Sequence, residues 1–267
     1  MLGQMDIEGR DMAAIAIDRL RAFEPAEGYY LAFSGGKDSQ AIYHLAKLAG
    51  VKFEAHFHLC GGVDPPEVVY FVRQHYPDVI WDHPGTSMWA EVVKQRTPPT
   101  RLMRWCCKIF KEGHGAGRVV VTGVRWAESV RRGARRMTEA CLKDSARTYL
   151  HPIIDWEDGD VWDFLNGLGV PHCNLYDEGR KRIGCVMCPM APGSAAADAK
   201  RWPKIADAWQ RAFGRLVRLR AQRGLNLMGW PFDPDADDYT NGAAVMAWWL
   251  HSGKHGGQNP GQETMYD

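Results

Sequence analysis

Tyr29-Tyr30-Leu31-Ala32-Phe33-Ser34-Gly35-Gly36-Lys37-Asp38-Ser39 is the stretch that decides the fold. Its first five residues are an apolar run of strand length, the glycine pair interrupts it, and a helical pattern runs from about Ser39 to Leu48, closed by Gly50. Strand, glycine loop and helix in that order bring bare backbone N–H groups to a helix start. The partial positive charge of that helix end and the full charge of Lys37 favour a phosphate there. Gly35 and Gly36 let the backbone turn and approach closely, and Ser34 and Ser39 can donate hydroxyls. Asp38 repels a phosphate unless a cation intervenes, so it either organises the loop or meets Mg2+. No Gly-Lys-Ser or Gly-Lys-Thr occurs, so this is not the Walker loop.

Outward from the loop, helices and strands alternate. Asp11 to Phe23 reads as a helix with Met12, Ala16, Leu20 and Phe23 on one face, and Val51 to Leu59 alternates as a strand. Asp64-Pro65-Pro66-Glu67 reads as a helix start, with Asp64 as cap and Pro65 in the first turn of a helix ending near Tyr76. Val79 to Trp81, Arg118 to Thr122 and Tyr149 to Ile154 read as strands, and Asp160 to Leu168 as a helix. The expectation is an α/β fold: a mostly parallel twisted sheet with helices on both faces. Trp202, Ile205, Trp209, Phe213, Leu216 and Leu219 then fall at helical spacing before Gly224, and Asn241 to His251 reads as a helix capped by Thr240 and closed by Gly253. These suggest a division into residues 1–192 and a helical C-terminal extension, 193–267, with a mobile tail from Gly253 to Asp267.

The 267 residues carry a net charge of +1, which argues against attachment to a polyanion by bulk attraction. No apolar run is long enough to span a bilayer, and Met1 to Asp6 lacks the features of a signal peptide, so the expected compartment is the cytoplasm, with no membrane partner. Thiols stay reduced there, and seven cysteines, four of them in two tight pairs, suit metal or redox chemistry better than disulfides.

Cys106-Cys107 and Cys185-Val186-Met187-Cys188 offer four thiolates from two distant segments, enough for a 4Fe–4S cluster or a tetrahedral zinc. Adjacent cysteines are unusual for structural zinc. Arg101, Arg104 and Lys108 flank the first pair and Lys181 and Arg182 precede the second, cations that suit an anionic cluster. Thr122-Gly123-Val124-Arg125-Trp126-Ala127-Glu128-Ser129 follows a strand, where open α/β sheets place ligand loops. Gly123 permits close approach, and Arg125 can hold a phosphate or sulfate through two N–H groups. Arg131, Arg132, Arg135 and Arg136 extend the charge, either toward the ligand, as a solvated helix face, or toward nucleic acid.

The order of phosphate loop, Cys-Cys, Gly-x-Arg-x-x-x-Ser and Cys-x-x-Cys resembles the phosphoadenylyl-sulfate (PAPS) reductase family of the pyrophosphate-loop, adenine nucleotide α-hydrolase-like superfamily, over about residues 30 to 192. The resemblance implies an adenine nucleotide, ATP or an adenylyl sulfate, held by Ser34, Gly35, Gly36, Lys37, Asp38, Ser39, Asp64, Gly123, Arg125, Ser129 and Arg132. Lys37, Asp38 and Arg125 would act in the chemical step. It implies a 4Fe–4S cluster on Cys106, Cys107, Cys185 and Cys188, as in the cluster-bearing branch, with zinc as runner-up. Asp155-Trp156 and Tyr176-Asp177-Glu178-Gly179 also look like the family and would brace the cluster segment. His58 and His83 read as structural histidines without partners, and Cys60, Cys141 and Cys173 are left over. Assimilatory reductases of the family attack sulfur with a cysteine near the C-terminus, and none follows Cys188; Cys60 or Cys173 would have to replace it. Related pyrophosphate-loop enzymes adenylate an oxygen with ATP and Mg2+ and then let sulfur displace AMP. That reading is compatible with a nucleic-acid acceptor or a sulfur- or electron-donor protein as partner. A third reading is a nucleotide- or zinc-binding partner protein without turnover.

Overall fold

The computed structural model describes residues 11–141, 144–191 and 193–252. In chain order its elements are α1 (Met12–Ala22), β1 (Tyr29–Phe33), α2 (Lys37–Ala49), β2 (Phe53–His58), α3 (Pro66–His75), β3 (Ile80–Asp82), α4 (Met88–Gln95), α5 (Trp105–Phe110), β4 (Val119–Val121), α6 (Val130–Gly133), β5 (Thr138–Cys141), β6 (Asp144–Leu150), α7 (Asp158–Gly167), α8 (Ala195–Arg201), α9 (Pro203–Gln222) and α10 (Asp238–Ser252). A 3-10 turn, Trp126–Glu128, precedes α6.

The chain divides into two compact units that do not follow its linear order: Met1–His58, Pro66–Asp82 and Gly113–Gly184 form the first; Leu59–Pro65, His83–Glu112 and Cys185–Asp267 form the second. A boundary at residue 192 therefore does not describe the packing. Both tight cysteine pairs fall in the unit that carries the C-terminal helices. The expected mobile tail lies outside the described residues.

The first unit is a six-stranded sheet in the order β3-β2-β1-β4-β6-β5, parallel throughout except for β5, which runs antiparallel to β6. β1 is central because its side chains are apolar on both faces: Tyr29, Tyr30, Leu31 and Phe33 are all buried. α2 follows it directly, capped at its end by Gly50 in the left-handed region, and α3 begins at Pro66. Around them Phe33, Tyr43 and Tyr76 form an aromatic cluster, with ring centroids 4.7 to 5.6 Å apart. α1 is capped by Asp11, which accepts from the N–H groups of Ala13 and Ala14, and is tied down by a paired Arg19–Asp155 contact of 2.7 Å on both oxygens.

Three local expectations change. The strand expected over Tyr149 to Ile154 lies earlier: β6 spans Asp144–Leu150, pairing with β5 in a hairpin the sequence pattern did not reveal. Asp64 does not cap α3; its carboxylate accepts the Cys60 N–H at 2.6 Å. α10 begins at Asp238, and Asp237 takes the Thr240 N–H at 2.7 Å in the capping role expected of Thr240.

The second unit is built on the α9–α10 pair. Trp209, Phe213 and Trp249 interleave with ring centroids 4.6 to 5.5 Å apart, and Trp89 of α4 meets Trp209 edge-on. The two backbones touch at Gly214 and Gly242, where an added Cβ would lie 1.7 Å and 1.8 Å from the carbonyl oxygens of Asp238 and Gln210. No helix among the described residues is long and apolar enough to cross a membrane.

Candidate functional site

The loop between β1 and α2 is organised from within. Ser39 donates its hydroxyl to the Gly36 carbonyl (2.8 Å) and accepts from the Ser34 N–H (3.1 Å) and hydroxyl (3.2 Å), while Gln40 donates to the Gly35 carbonyl. Gly35 sits at φ +73, which a side chain would resist, and its missing Cβ leaves room for Val72. Ser34 is exposed, whereas Gly35, Gly36 and Lys37 are buried. The Lys37 N–H, at the head of α2, donates to the Tyr176 hydroxyl at 2.8 Å. One amide of the expected phosphate cradle is thus occupied by a phenol oxygen.

Lys37, Asp38, Arg125 and Asp158 form one charge cluster. Asp38 Oδ1 accepts from Lys37 Nζ (3.0 Å) and Arg125 Nε (2.8 Å); Asp158 Oδ1 accepts from Lys37 Nζ (2.9 Å) and Arg125 (2.5 Å). The third arm of the guanidinium donates to the Trp156 carbonyl at 3.1 Å. Arg125 is 2% exposed and Lys37 3%, while the side chain of Asp158 is 63% exposed. Burial works against the Asp158 charge, but the bonds from Lys37 and Arg125 outweigh it and hold that carboxyl below its ordinary range. Arg125, expected on the ligand, spends its donors on protein oxygens. Gly123 serves this cluster: an added Cβ would lie 2.8 Å from the Asp38 carbonyl oxygen.

Ser129 and Arg132 have local duties. Ser129 Oγ accepts the Arg132 N–H at the start of α6, and the Arg132 guanidinium pairs with Glu128. Arg135 pairs with Glu139 at 2.6 Å. Of the four-arginine extension, Arg131 and Arg136 are exposed. Asp155 and Trp156 brace α1 and Arg125, and Tyr176 braces the loop. His58 has partners, contrary to expectation: Tyr30, Asp82 and His114 surround it.

In the second unit Cys106, Cys107, Cys185 and Cys188 line one cavity, together with Cys60. Cys106 and Cys107 share a hydrogen bond that pushes the first thiol up and the second down, and Arg104 reinforces the Cys107 thiolate. Cys60 and Cys185 form a second such pair, Cys185 being the one held low, with Lys111 bonded to it. Asp64, expected at the nucleotide, lies here within 4.8 Å of Cys60 and Cys185. Burial raises its pKa.

Residues 28–191, more than half of the chain, match the family described as the phosphoadenosine phosphosulfate reductase domain. The chain belongs to that family. The chain is 30% identical over 194 residues to an uncharacterized protein of Methanocaldococcus jannaschii, covering 67% of the chain but only 40% of that relative. It is 28% identical to a probable FAD synthase of Caenorhabditis briggsae over 60% of the chain and 30% of the relative. It is 35% identical to an adenosine 5'-phosphosulfate reductase of Burkholderia cepacia over 33% of the chain and 35% of the relative. The chain thus spans less than half the length of each of these three relatives.

Four residues of this family member's sites escaped the sequence reading: Asp158, Tyr176 in its loop role, Cys60 and Lys111. Asp158 opens α7 and looks like an ordinary helix-start acid. Cys60 has no close cysteine neighbour in sequence. Lys111, one turn after Cys107, was the one signal available, since helical spacing sets it near that pair.

Proposed function

We propose that this chain is an adenine-nucleotide enzyme of sulfur metabolism, an ATP pyrophosphatase that adenylates an acceptor oxygen so that sulfur can displace AMP. The observation that carries the reading is the charge cluster at the glycine loop. Asp38 and Asp158 each commit the same oxygen, Oδ1, to both Lys37 and Arg125, and Asp158 stands 63% exposed. Two fixed carboxylates beside a phosphate loop are what Mg2+ bound to a triphosphate needs. Reduction of an adenylyl sulfate releases no pyrophosphate and needs no such ion. Mg2+ at Asp38 and Asp158 would supply charge neutralisation of the pyrophosphate.

The roles of the protein groups follow from their positions. Phosphate oxygens take the Lys37 N–H in place of the Tyr176 hydroxyl, and Lys37 Nζ turns from its carboxylates to the charge developing on pyrophosphate. Arg125 is a positioning residue: buried, held by the Trp156 carbonyl, it fixes Asp38 and Asp158. Gly123 keeps Asp38 within its reach. Asp64, Ser129 and Arg132 play no part in holding the nucleotide in this account, since each has a local partner.

Cys106, Cys107, Cys185 and Cys188 would hold a 4Fe–4S cluster. Among the described residues no three of these four thiols lie within 4.8 Å of one another. Four sulfurs on one tetrahedral zinc sit about 3.8 Å apart, given a Zn–S bond near 2.3 Å. Adjacent cysteines, unusual for structural zinc, suit a cluster, and Arg104 and Lys111 supply the nearby positive charge. Such a cluster supplies an iron centre that takes up electrons or binds sulfide.

A second reading, reduction of an adenylyl sulfate, is favoured by the 35% identity with an adenosine 5'-phosphosulfate reductase over a third of the chain. One experiment separates the two. Protein purified without oxygen is given Mg2+, ATP, sulfide and either transfer RNA or DNA, and in parallel an adenylyl sulfate with a thiol reductant. The proposal expects AMP and pyrophosphate from ATP. Sulfite from the adenylyl sulfate, with ATP intact, would replace it by the reductase reading.

A further inference from the structure

At the ends of β2 and β3, within the first unit, three side chains converge that play no part in the loop chemistry. His58 and Asp82 are the last residues of their strands and face each other in the parallel register. His114, in the connection from α5 to β4, brings its ring to 3.8 Å from that of His58. One ligand atom from each of the three lies within 4.8 Å of the others. We propose that His58, Asp82 and His114 form a site for a divalent first-row transition metal ion, separate from the cysteine cavity.

The contacts around Asp82 support the proposal. Asp82 Oδ2 lies 3.0 Å from His56 Nδ1, 3.2 Å from His58 Nδ1 and 3.1 Å from the Tyr30 hydroxyl, which is itself 2.9 Å from His58 Nε2. One carboxylate oxygen thus gathers nitrogens of two histidines and a phenol around it.

The dimensions and chemistry suit a metal ion. Two ligands bound at about 2.05 Å to a shared tetrahedral ion lie roughly 3.4 Å apart, close to the observed His58–Asp82 spacing. Two imidazoles and a carboxylate are a borderline donor set, suited to zinc, iron(II), cobalt or nickel rather than to Mg2+. The surroundings are also those of a metal site. Tyr30 holds the remote nitrogen of His58, His56 holds the carboxylate, and the Tyr30 ring stacks on His56 at 4.0 Å. The side chains of His58 and Asp82 are 11% and 26% exposed, shielded yet reachable.

The test uses the full chain and Co2+ without oxygen, comparing wild type with His114→Gln, Asp82→Asn, Tyr30→Phe and the double variant Cys185→Ser/Cys188→Ser. The expected result is one Co2+ equivalent, with hyperfine-shifted imidazole N–H signals in the proton spectrum, retained in the cysteine double variant. His114→Gln and Asp82→Asn should lower its affinity by more than 100-fold. Tyr30→Phe, which touches only a ligand's partner, should lower it by about 10- to 100-fold. His114→Gln lies outside every strand and helix, so it keeps the test decisive if a strand variant fails to fold. Co2+ uptake that is equal in wild type and His114→Gln, or that vanishes with the cysteines, would overturn the proposal. So would the absence of any Co2+ equivalent in the wild type.

Discussion

Replacing Tyr176 by phenylalanine removes one oxygen and should make ATP bind more tightly. In the unliganded protein that oxygen accepts the Lys37 N–H at 2.8 Å, at the amide where the account places a phosphate oxygen. The ring is held independently, edge-on to Trp162 at 4.9 Å, so phenylalanine keeps its place. A neutral hydrogen bond of this kind contributes about 1 kcal/mol net. The nucleotide must break it on binding, so its loss should raise the affinity for Mg-ATP about fivefold, and the free protein should lose about 1 kcal/mol of stability. Calorimetric titration reads the first quantity and urea unfolding the second. Weaker ATP binding by Tyr176→Phe would refute the reasoning, because it would mean that the hydroxyl contacts the nucleotide instead of standing in for it.

Three further outcomes follow from the same geometry. Gly123→Ala drives a methyl to 2.8 Å from the Asp38 carbonyl oxygen, backbone that cannot swing away, and should cost about 1–3 kcal/mol by urea unfolding as well as weakening ATP binding. Asp158→Asn should weaken Mg-ATP at least tenfold while leaving adenylyl sulfate binding within about twofold, as measured by competitive titration; equal losses for both ligands would count against a metal-binding role. His151 is buried and neutral: burial, with Arg135 nearby, pushes its pKa from 6.5 down to about 4. The unfolded chain therefore binds this proton before the folded one does, so stability is full above pH 6.5 and falls as pH drops toward 4. The loss is about 3 kcal/mol at most, and unfolding curves of His151→Gln across that window should be flatter.

The glycine loop, the central strand and its helix were legible because each is specified by neighbours in sequence. Five apolar residues, a glycine pair and a helix closed by Gly50 need no distant information, and the α9 stripe from Trp202 to Leu219 is equally local. The use of Arg125 was not legible. Its guanidinium answers to Asp38, 87 residues away, and to Asp158 and Trp156, and no spacing rule reveals that a lone arginine after a strand will be buried between acids. The β5–β6 hairpin was missed because Thr138-Glu139-Ala140-Cys141 lacks the apolar alternation of a half-buried strand. Cys60 was left without a role, and Asp64 was read from its neighbours alone, for a related reason. Asp-Pro-Pro-Glu is a strong local helix signal, yet the pair is claimed by the cysteine cavity through the Cys60 N–H and Cys185. His58 looked solitary because its partners, Tyr30, Asp82 and His114, come from three other segments.

A crystal structure of the protein with a non-hydrolysable ATP analogue and Mg2+ tests the phosphate cradle most directly. The account predicts phosphate oxygens within hydrogen-bonding distance of the backbone N–H groups of residues 35 to 39, the Tyr176 hydroxyl displaced from Lys37, and the ion on Asp38 and Asp158. Phosphates seated elsewhere in the first unit, with the Lys37 amide still on Tyr176, would contradict it.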